Sequence, residues 1–257
     1  MSVEEKLREI RPRSFVYLFS AGKDSSLALL LTRDLVKGLA EELGAKVYVL
    51  YVVIPGNTHP LNAFAASAVM EWHRKNYGFE PLYRCAPYVF QEHAARYGLQ
   101  RGKGRWCFVI FKDRVFRDVE RALPRPQVHV DGMSPRDSSA RREKVRAELE
   151  HVETEDRTKF WAWHPLYKLG LSEEEKLELL RRHEEFRPVV ELYEAFGDSL
   201  NCVVCPYKSR SKMARHHAAE DLGALYRFAE ECLRSRKWKK VFSALANRPL
   251  SRFLTSR

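Results

Sequence analysis

Between Ser20 and Ser26 the chain reads Ser-Ala-Gly-Lys-Asp-Ser-Ser, which gathers three hydroxyls, a glycine, a lysine and an aspartate in one turn. The apolar run Phe15–Phe19 precedes it and a helical pattern follows. A glycine-bearing turn that feeds a helix leaves backbone N–H groups unpaired at the positive end of the helix dipole. That arrangement suits an anion, and phosphate above all. Ser20, Ser25 and Ser26 can donate hydrogen bonds, Lys23 adds a point charge, and Asp24 is placed to cap the helix or to help hold Mg²⁺. A Walker A loop is excluded, because that motif needs Gly-x-x-x-x-Gly-Lys-Ser/Thr and here only Gly22 precedes Lys23.

The five cysteines, Cys85, Cys107, Cys202, Cys205 and Cys232, are too few and too unevenly spaced for a disulfide scaffold. Cys202-Val-Val-Cys205-Pro206 puts two thiolates within reach of one metal, as structural zinc and iron–sulfur sites require. A metal or cluster, a redox dithiol and inert cysteines all remain open on spacing alone. Cys232 falls among Leu225, Phe228, Ala229 and Leu233 at helical spacing and reads as a buried helix cysteine. Trp161, Trp163 and Tyr167 alternate along a late strand and read as core. His73 and the pair His216-His217 lack metallohydrolase spacing and read as surface or helix histidines.

These residues need a scaffold, and the pattern supplies one. Strands are predicted at 14–20, 46–54, around 79–85, at 127–133 and at 159–166, with helices at about 24–43 and 61–77 between the first three. Val47–Ile54 is apolar on both faces, as a buried parallel strand is, and Gly44 marks the end of the first long helix. Strand-helix-strand units of this kind predict an open, doubly wound, mostly parallel α/β sheet. The polar stretch "SPRDSSARREK" follows a strand end, where such sheets bind ligands. From Ser172, which forms a capping-box pattern with Glu175, helices are predicted at 172–186, 188–196 and 208–235. This divides the chain into an α/β domain over 1–197 and a helical appendage over 198–257 that begins with Cys-x-x-Cys.

With 257 residues and 45% hydrophobic content the chain can fill a core. It has no apolar run long enough to span a membrane, and its charged start, "MSVEEKLREIRPR", is unlike a signal peptide. The expected place is the cytoplasm, with no membrane partner. A net charge of +11 favours phosphate-bearing partners, whether nucleotide, tRNA or DNA, without choosing among them. Eight Asn and Gln together, against abundant Glu, Lys and Arg, is a composition suited to a thermophile.

The turn resembles the Ser-Gly-Gly-Lys-Asp-Ser signature of the PP-loop ATP pyrophosphatases, in the wider group of adenine nucleotide α-hydrolases. Five of six positions match, with Ala21 in place of the first glycine. Further segments resemble the phosphoadenosine phosphosulfate reductase family in its order. Asn57-Thr58 stands in the loop before the second helix, and Arg105-Trp106-Cys107 matches an Arg-Trp-Cys segment. Gly132, Ser138 and Arg141 match a Gly-x-Arg-x-x-Glu-Ser-x-x-Arg segment, with Asp137 for its glutamate, Ser134 for its first arginine and Arg136 nearby as a substitute. "HPLYKLG" resembles a Pro-Leu block, and "LYEAFGDSLNCVVCP" a Leu-Tyr and Cys-x-x-Cys-Pro block.

The resemblance implies an adenine nucleotide, ATP among the candidates, across the C-terminal edge of the sheet. Its phosphates would rest on Ser20–Ser26, with Asn57, Thr58, Gly132, Arg136 and Ser138 in the nucleotide site. Lys23, Asp24 and Arg141 would be the catalytic groups, with Mg²⁺. It further implies that Cys107 joins Cys202 and Cys205 on a metal, a [4Fe-4S] cluster or Zn²⁺ in its place. The implied reaction is α,β-phosphate cleavage that adenylates an acceptor, with a tRNA base as one candidate, coupled to sulfur transfer from a sulfur or electron donor protein. Two alternatives stand beside it. One is a reductase releasing sulfite from phosphoadenosine phosphosulfate or adenylyl sulfate through a nucleophilic cysteine, for which Glu231-Cys232-Leu233 is the nearest echo of the family's Glu-Cys-Gly segment. The other is a non-catalytic nucleotide- or nucleic-acid-binding module.

Overall fold

A computed structural model describes residues 2–98, 106–136, 139–154, 159–205 and 208. Its strands are β1 (Ser14–Phe19), β2 (Lys46–Val53), β3 (Glu80–Cys85), β4 (Gln127–Val130), β5 (Leu149–Glu153) and β6 (Lys159–Trp163). They form one sheet in the order β3-β2-β1-β4-β6-β5. All neighbouring pairs are parallel except β5 with β6. The helices are α1 (Val3–Ile10), α2 (Lys23–Leu43), α3 (Pro60–Tyr77), α4 (Phe90–Tyr97), α5 (Trp106–Phe108), α6 (Arg114–Ala122), α7 (Ser139–Lys144), α8 (Glu173–Arg181) and α9 (Arg187–Phe196). A π-helical turn, Val109–Asp113, joins α5 to α6. This is the open, mostly parallel α/β sheet that the sequence pattern predicts.

The apolar reading of β2 holds physically: Val47–Val52 are all buried, because helices and neighbouring strands cover both faces. Helix α2 ends at Gly44, whose φ of 64° is left-handed, as a C-terminal glycine allows. Ser172 and Glu175 form the predicted capping box at the start of α8. The chain departs from expectation at β5, an antiparallel edge strand inside what reads as a polar connection. Its alternation of half-buried and exposed residues hides it in a charged sequence. The predicted helix 172–186 breaks at Arg181, and a 3-10 turn at Glu184–Phe186 leads into α9. The predicted helix 208–235, together with Cys232, His216 and His217, lies outside the described residues.

His73 is indeed a helix histidine, on the inner face of α3. It is fully buried, its Nδ1 lies 2.8 Å from the Val69 carbonyl, and burial pushes its pKa down to about 4. Trp163 is core, whereas Trp161 is half-buried and lies under Lys6. Leu200, Val203 and Val204 belong to the same core as the sheet, so the chain just after α9 is packed against it. No helix among the described residues is long and apolar enough to cross a membrane.

The sheet order fixes where a ligand can sit. From β1 the chain builds outward through β2 and β3, then returns to lay β4 on the other side of β1. The loops leaving β1 and β4 therefore diverge, and a crevice opens between their carboxyl ends.

Candidate functional site

A cleft of about 920 Å³ lies at that crevice. Ser20, Gly22, Asp24 and Ser25 line one side of it, and Asp131, Gly132, Arg141, Glu150 and His164 line the other. Both sides are built by chain leaving the ends of strands, which is why residues far apart in sequence converge here.

The loop side is closed by its own hydrogen bonds. The Ser25 hydroxyl donates to the Gly22 carbonyl at 3.0 Å, accepts from the Ser20 amide at 3.2 Å and lies 3.1 Å from the Ser20 hydroxyl. Gly22 is the N-cap of α2 and offers no side-chain acceptor, so the helix start keeps donors for a ligand oxygen. A methyl group on Gly22 would come within 3.2 Å of the Ser20 hydroxyl. Ala21 adopts a φ of 49°, the left-handed region, at a cost of about 1 kcal/mol relative to glycine. Its methyl group is fully buried in the core, so Ala21 shapes the turn while its neighbours face the cleft. Ser26 points inward as well: it is fully buried and its hydroxyl has no hydrogen-bond partner.

Lys23 differs from expectation. Its ammonium lies 2.6 Å from Glu173 and 3.1 Å from Asp24, with the Tyr193 ring 5.7 Å away, and it is absent from the cleft lining. Burial opposes its charge, but Tyr193, Asp24 and Glu173 together raise its pKa. Asp24 neither caps the helix nor offers an unpaired oxygen to a cation. One of its oxygens takes Lys176 at 2.8 Å and the other takes Lys23. Burial works against the carboxylate here too, and the two lysines reverse that and lower its pKa. The Tyr193 hydroxyl accepts from the Lys23 amide at 3.1 Å.

The opposite side carries two features. The backbone of Gly132 lies flush against α2: a Cβ there would sit 2.4 Å from the Asp24 carbonyl carbon and 2.6 Å from the Ser25 nitrogen. Next to it, His164 is buried between two carboxylates, with Nδ1 2.8 Å from Asp131 and Nε2 3.0 Å from Glu150. Burial disfavours the imidazolium, but the two carboxylates outweigh it and raise the pKa. Arg141, Lys144 and Arg146 line the cleft together with Glu143, Glu150 and Glu153, and Lys112 and Arg117 enter from the α5–α6 side with Asp113 and Glu120, so the lining is mixed in charge.

Asn57 and Thr58 do not reach the cleft. Asn57 is buried and clamps the Cys-x-x-Cys turn: its side chain donates to the Val204 carbonyl at 3.0 Å and accepts from the Val204 amide at 2.7 Å, while its carbonyl takes the Val203 amide. Thr58 bridges to Asn201. Arg136 also turns elsewhere. It packs on Gly170 and lines a separate pocket of about 310 Å³ with Ser134 and Lys176. Ser138, Asp137 and Arg105 lie outside the described residues.

None of Cys85, Cys107, Cys202 and Cys205 forms a disulfide. Among the described residues no three His, Cys, Asp or Glu side chains gather as a metal site, so Cys107, Cys202 and Cys205 do not form the expected ligand set. Cys107 belongs to α5, while Cys202 and Cys205 belong to a turn whose intervening amides are held by Asn57. The donor set does not fit a cluster or zinc, and Asp24, doubly ion-paired, does not fit Mg²⁺.

Sequence reasoning missed Tyr193, Lys176, Glu173, Asp131, Glu150 and His164. Asp131 and His164 each stand directly after an apolar strand, and that position is the signal that could have found them.

No protein-family model matches the chain, and no curated protein does. Among solved structures it is similar to a crystal structure of phosphoadenylyl-sulfate (PAPS) reductase from Candida auris in a phosphate complex. The TM-score is 0.40 and the identity 12%, covering 71% of this chain and 79% of that chain.

Proposed function

We propose that this protein is an enzyme that binds an adenine nucleotide in the cleft between β1 and β4, with the phosphates against Ser20, Gly22 and Ser25. The observation that carries the reading is the start of α2 at the cleft, where Gly22 supplies no side-chain cap, in a turn that resembles the PP-loop signature. The reaction is cleavage between the α- and β-phosphates with transfer of the adenylyl group to an acceptor. Loop donors stabilise the charge that grows on the departing pyrophosphate, and Arg141, which lines the cleft, adds a cation toward it. The net charge of +11 supports a polyanionic acceptor such as tRNA. Lys23 contributes by neutralising Asp24 and Glu173 beneath the loop. In the coupled step sulfur carried by a donor protein displaces AMP from the adenylylated acceptor; the turn Cys202–Cys205 follows Asn201, which lines the cleft.

The test is incubation with α-labelled ATP and candidate acceptors. AMP or an adenylylated acceptor, formed together with pyrophosphate and lost in Ser25→Ala, supports the reading. ADP as the product, or no turnover with any acceptor, contradicts it. Sulfite released from phosphoadenosine phosphosulfate with a thiol donor, and abolished by Cys232→Ser, would assign the same cleft to a reductase instead.

A further inference from the structure

We infer that His164 is a positioning residue, the central link of a strut that runs from the edge strand β5 to the phosphate-facing loop. The strut starts at Glu150 on β5, passes through both nitrogens of the buried His164 ring and reaches Asp131 at the end of β4. The Asp131 oxygen that meets His164 also accepts the Met133 amide at 2.8 Å, which folds the intervening Gly132 into a tight turn. Gly132 in turn lies in backbone contact with Asp24 and Ser25, at the first turn of α2.

Two carboxylates face the ring, Asp131 from β4 and Glu150 from β5, and both need a donor. Only the imidazolium supplies a donor at each nitrogen. The backbone supports the same path: the His164 amide donates to the Glu148 carbonyl at 2.7 Å, and the Asp131 amide donates to the Trp163 carbonyl at 3.1 Å. The ring is 1% exposed and both nitrogens are engaged, so it is built to hold neighbours in place, with no nitrogen left for a substrate proton. Its consequence is a defined gap between the loop and the segment that leads into β5. The inference rests on the nucleotide reading for its functional meaning, but its mechanical content stands apart from it.

Two variants cut the strut at different points. In His164→Asn the side-chain amide occupies the place of Nδ1 and keeps the Asp131 link. In His164→Gln it occupies the place of Nε2 and keeps only the Glu150 link. Amide hydrogen exchange of the peptide covering residues 19–27 is read without nucleotide, ATP affinity is read by calorimetry, and global stability is read by urea unfolding. The strut predicts faster exchange at 19–27 and about tenfold weaker ATP binding in His164→Gln, with His164→Asn close to wild type in both. Equal losses of stability in both variants with unchanged exchange at 19–27 would overturn it. If the wild type binds no ATP, the nucleotide reading fails, and the exchange comparison still decides the strut.

Discussion

The two walls of the cleft solve the same problem in opposite ways. On the loop side, charge is neutralised in place: Lys23 and Lys176 share Asp24 and Glu173, and Ser25 closes the turn on itself. On the β4–β6 side, a single histidine ties two carboxylates together while the cations Arg141, Lys144 and Arg146 remain at the rim. The first wall is therefore held by its own ion pairs and hydrogen bonds and is close to neutral. The second is tied by a titratable ring, and its lining mixes Arg141, Lys144 and Arg146 with Glu143, Glu150 and Glu153.

The sharpest way to break this comparison is at the seam. Gly132→Ala drives a methyl group into the backbone of Asp24 and Ser25, which cannot yield as a flexible side chain would. We expect a loss of about 3 kcal/mol in urea unfolding, and loss of ATP binding with it. A stable variant would mean that the walls are not in contact there. Asn57→Ala probes the loop wall's outer support. It removes both side-chain bonds to Val204 and leaves buried backbone groups unpaired, so stability should drop by about 2 kcal/mol, while ATP affinity changes by less than about threefold. A selective loss of ATP binding at unchanged stability would return Asn57 to the nucleotide site.

The β4–β6 wall should answer to pH where the loop wall does not. The folded pKa of His164 is raised above its ordinary value of 6.5. Its contribution is therefore complete below about pH 6.5 and is lost as pH rises through the raised value. Wild-type unfolding free energy should fall over that window relative to His164→Asn, and parallel pH profiles would show that the ring is not a cation in the folded state. The smallest effect is expected at Ala21→Gly. Relief of the left-handed φ is offset by the lost buried methyl group and the freer unfolded chain, which leaves a net change within about 1 kcal/mol by thermal unfolding.

The loop wall was legible in the sequence because its parts are contiguous. Ser20–Ser26 after an apolar strand announces the turn, and the two-faced apolar run of β2 announces the buried sheet that places it. The other wall was less so, since Asp131, Glu150 and His164 come from three separate strands and meet only through the sheet order. Within β5 the charged residues mask the alternation that would mark a strand. Asn57 was misread for a related reason. A loop residue beside a strand end reads as ligand-facing, and nothing local reveals that the turn at Cys202–Cys205 comes back to occupy it. Lys23 shows the limit of motif reading: its identity was legible, but the partners that hold its ammonium away from the cleft, Glu173 and Asp24, include one from a helix 150 positions later.

The most direct measurement is amide hydrogen exchange of the full chain with and without ATP, read peptide by peptide. Binding between the walls predicts slower exchange on adding ATP in the peptides spanning 19–27 and 131–134, with α1 and α4 unchanged. Protection confined to other regions, or none at saturating ATP, would contradict a nucleotide site at the junction of β1 and β4.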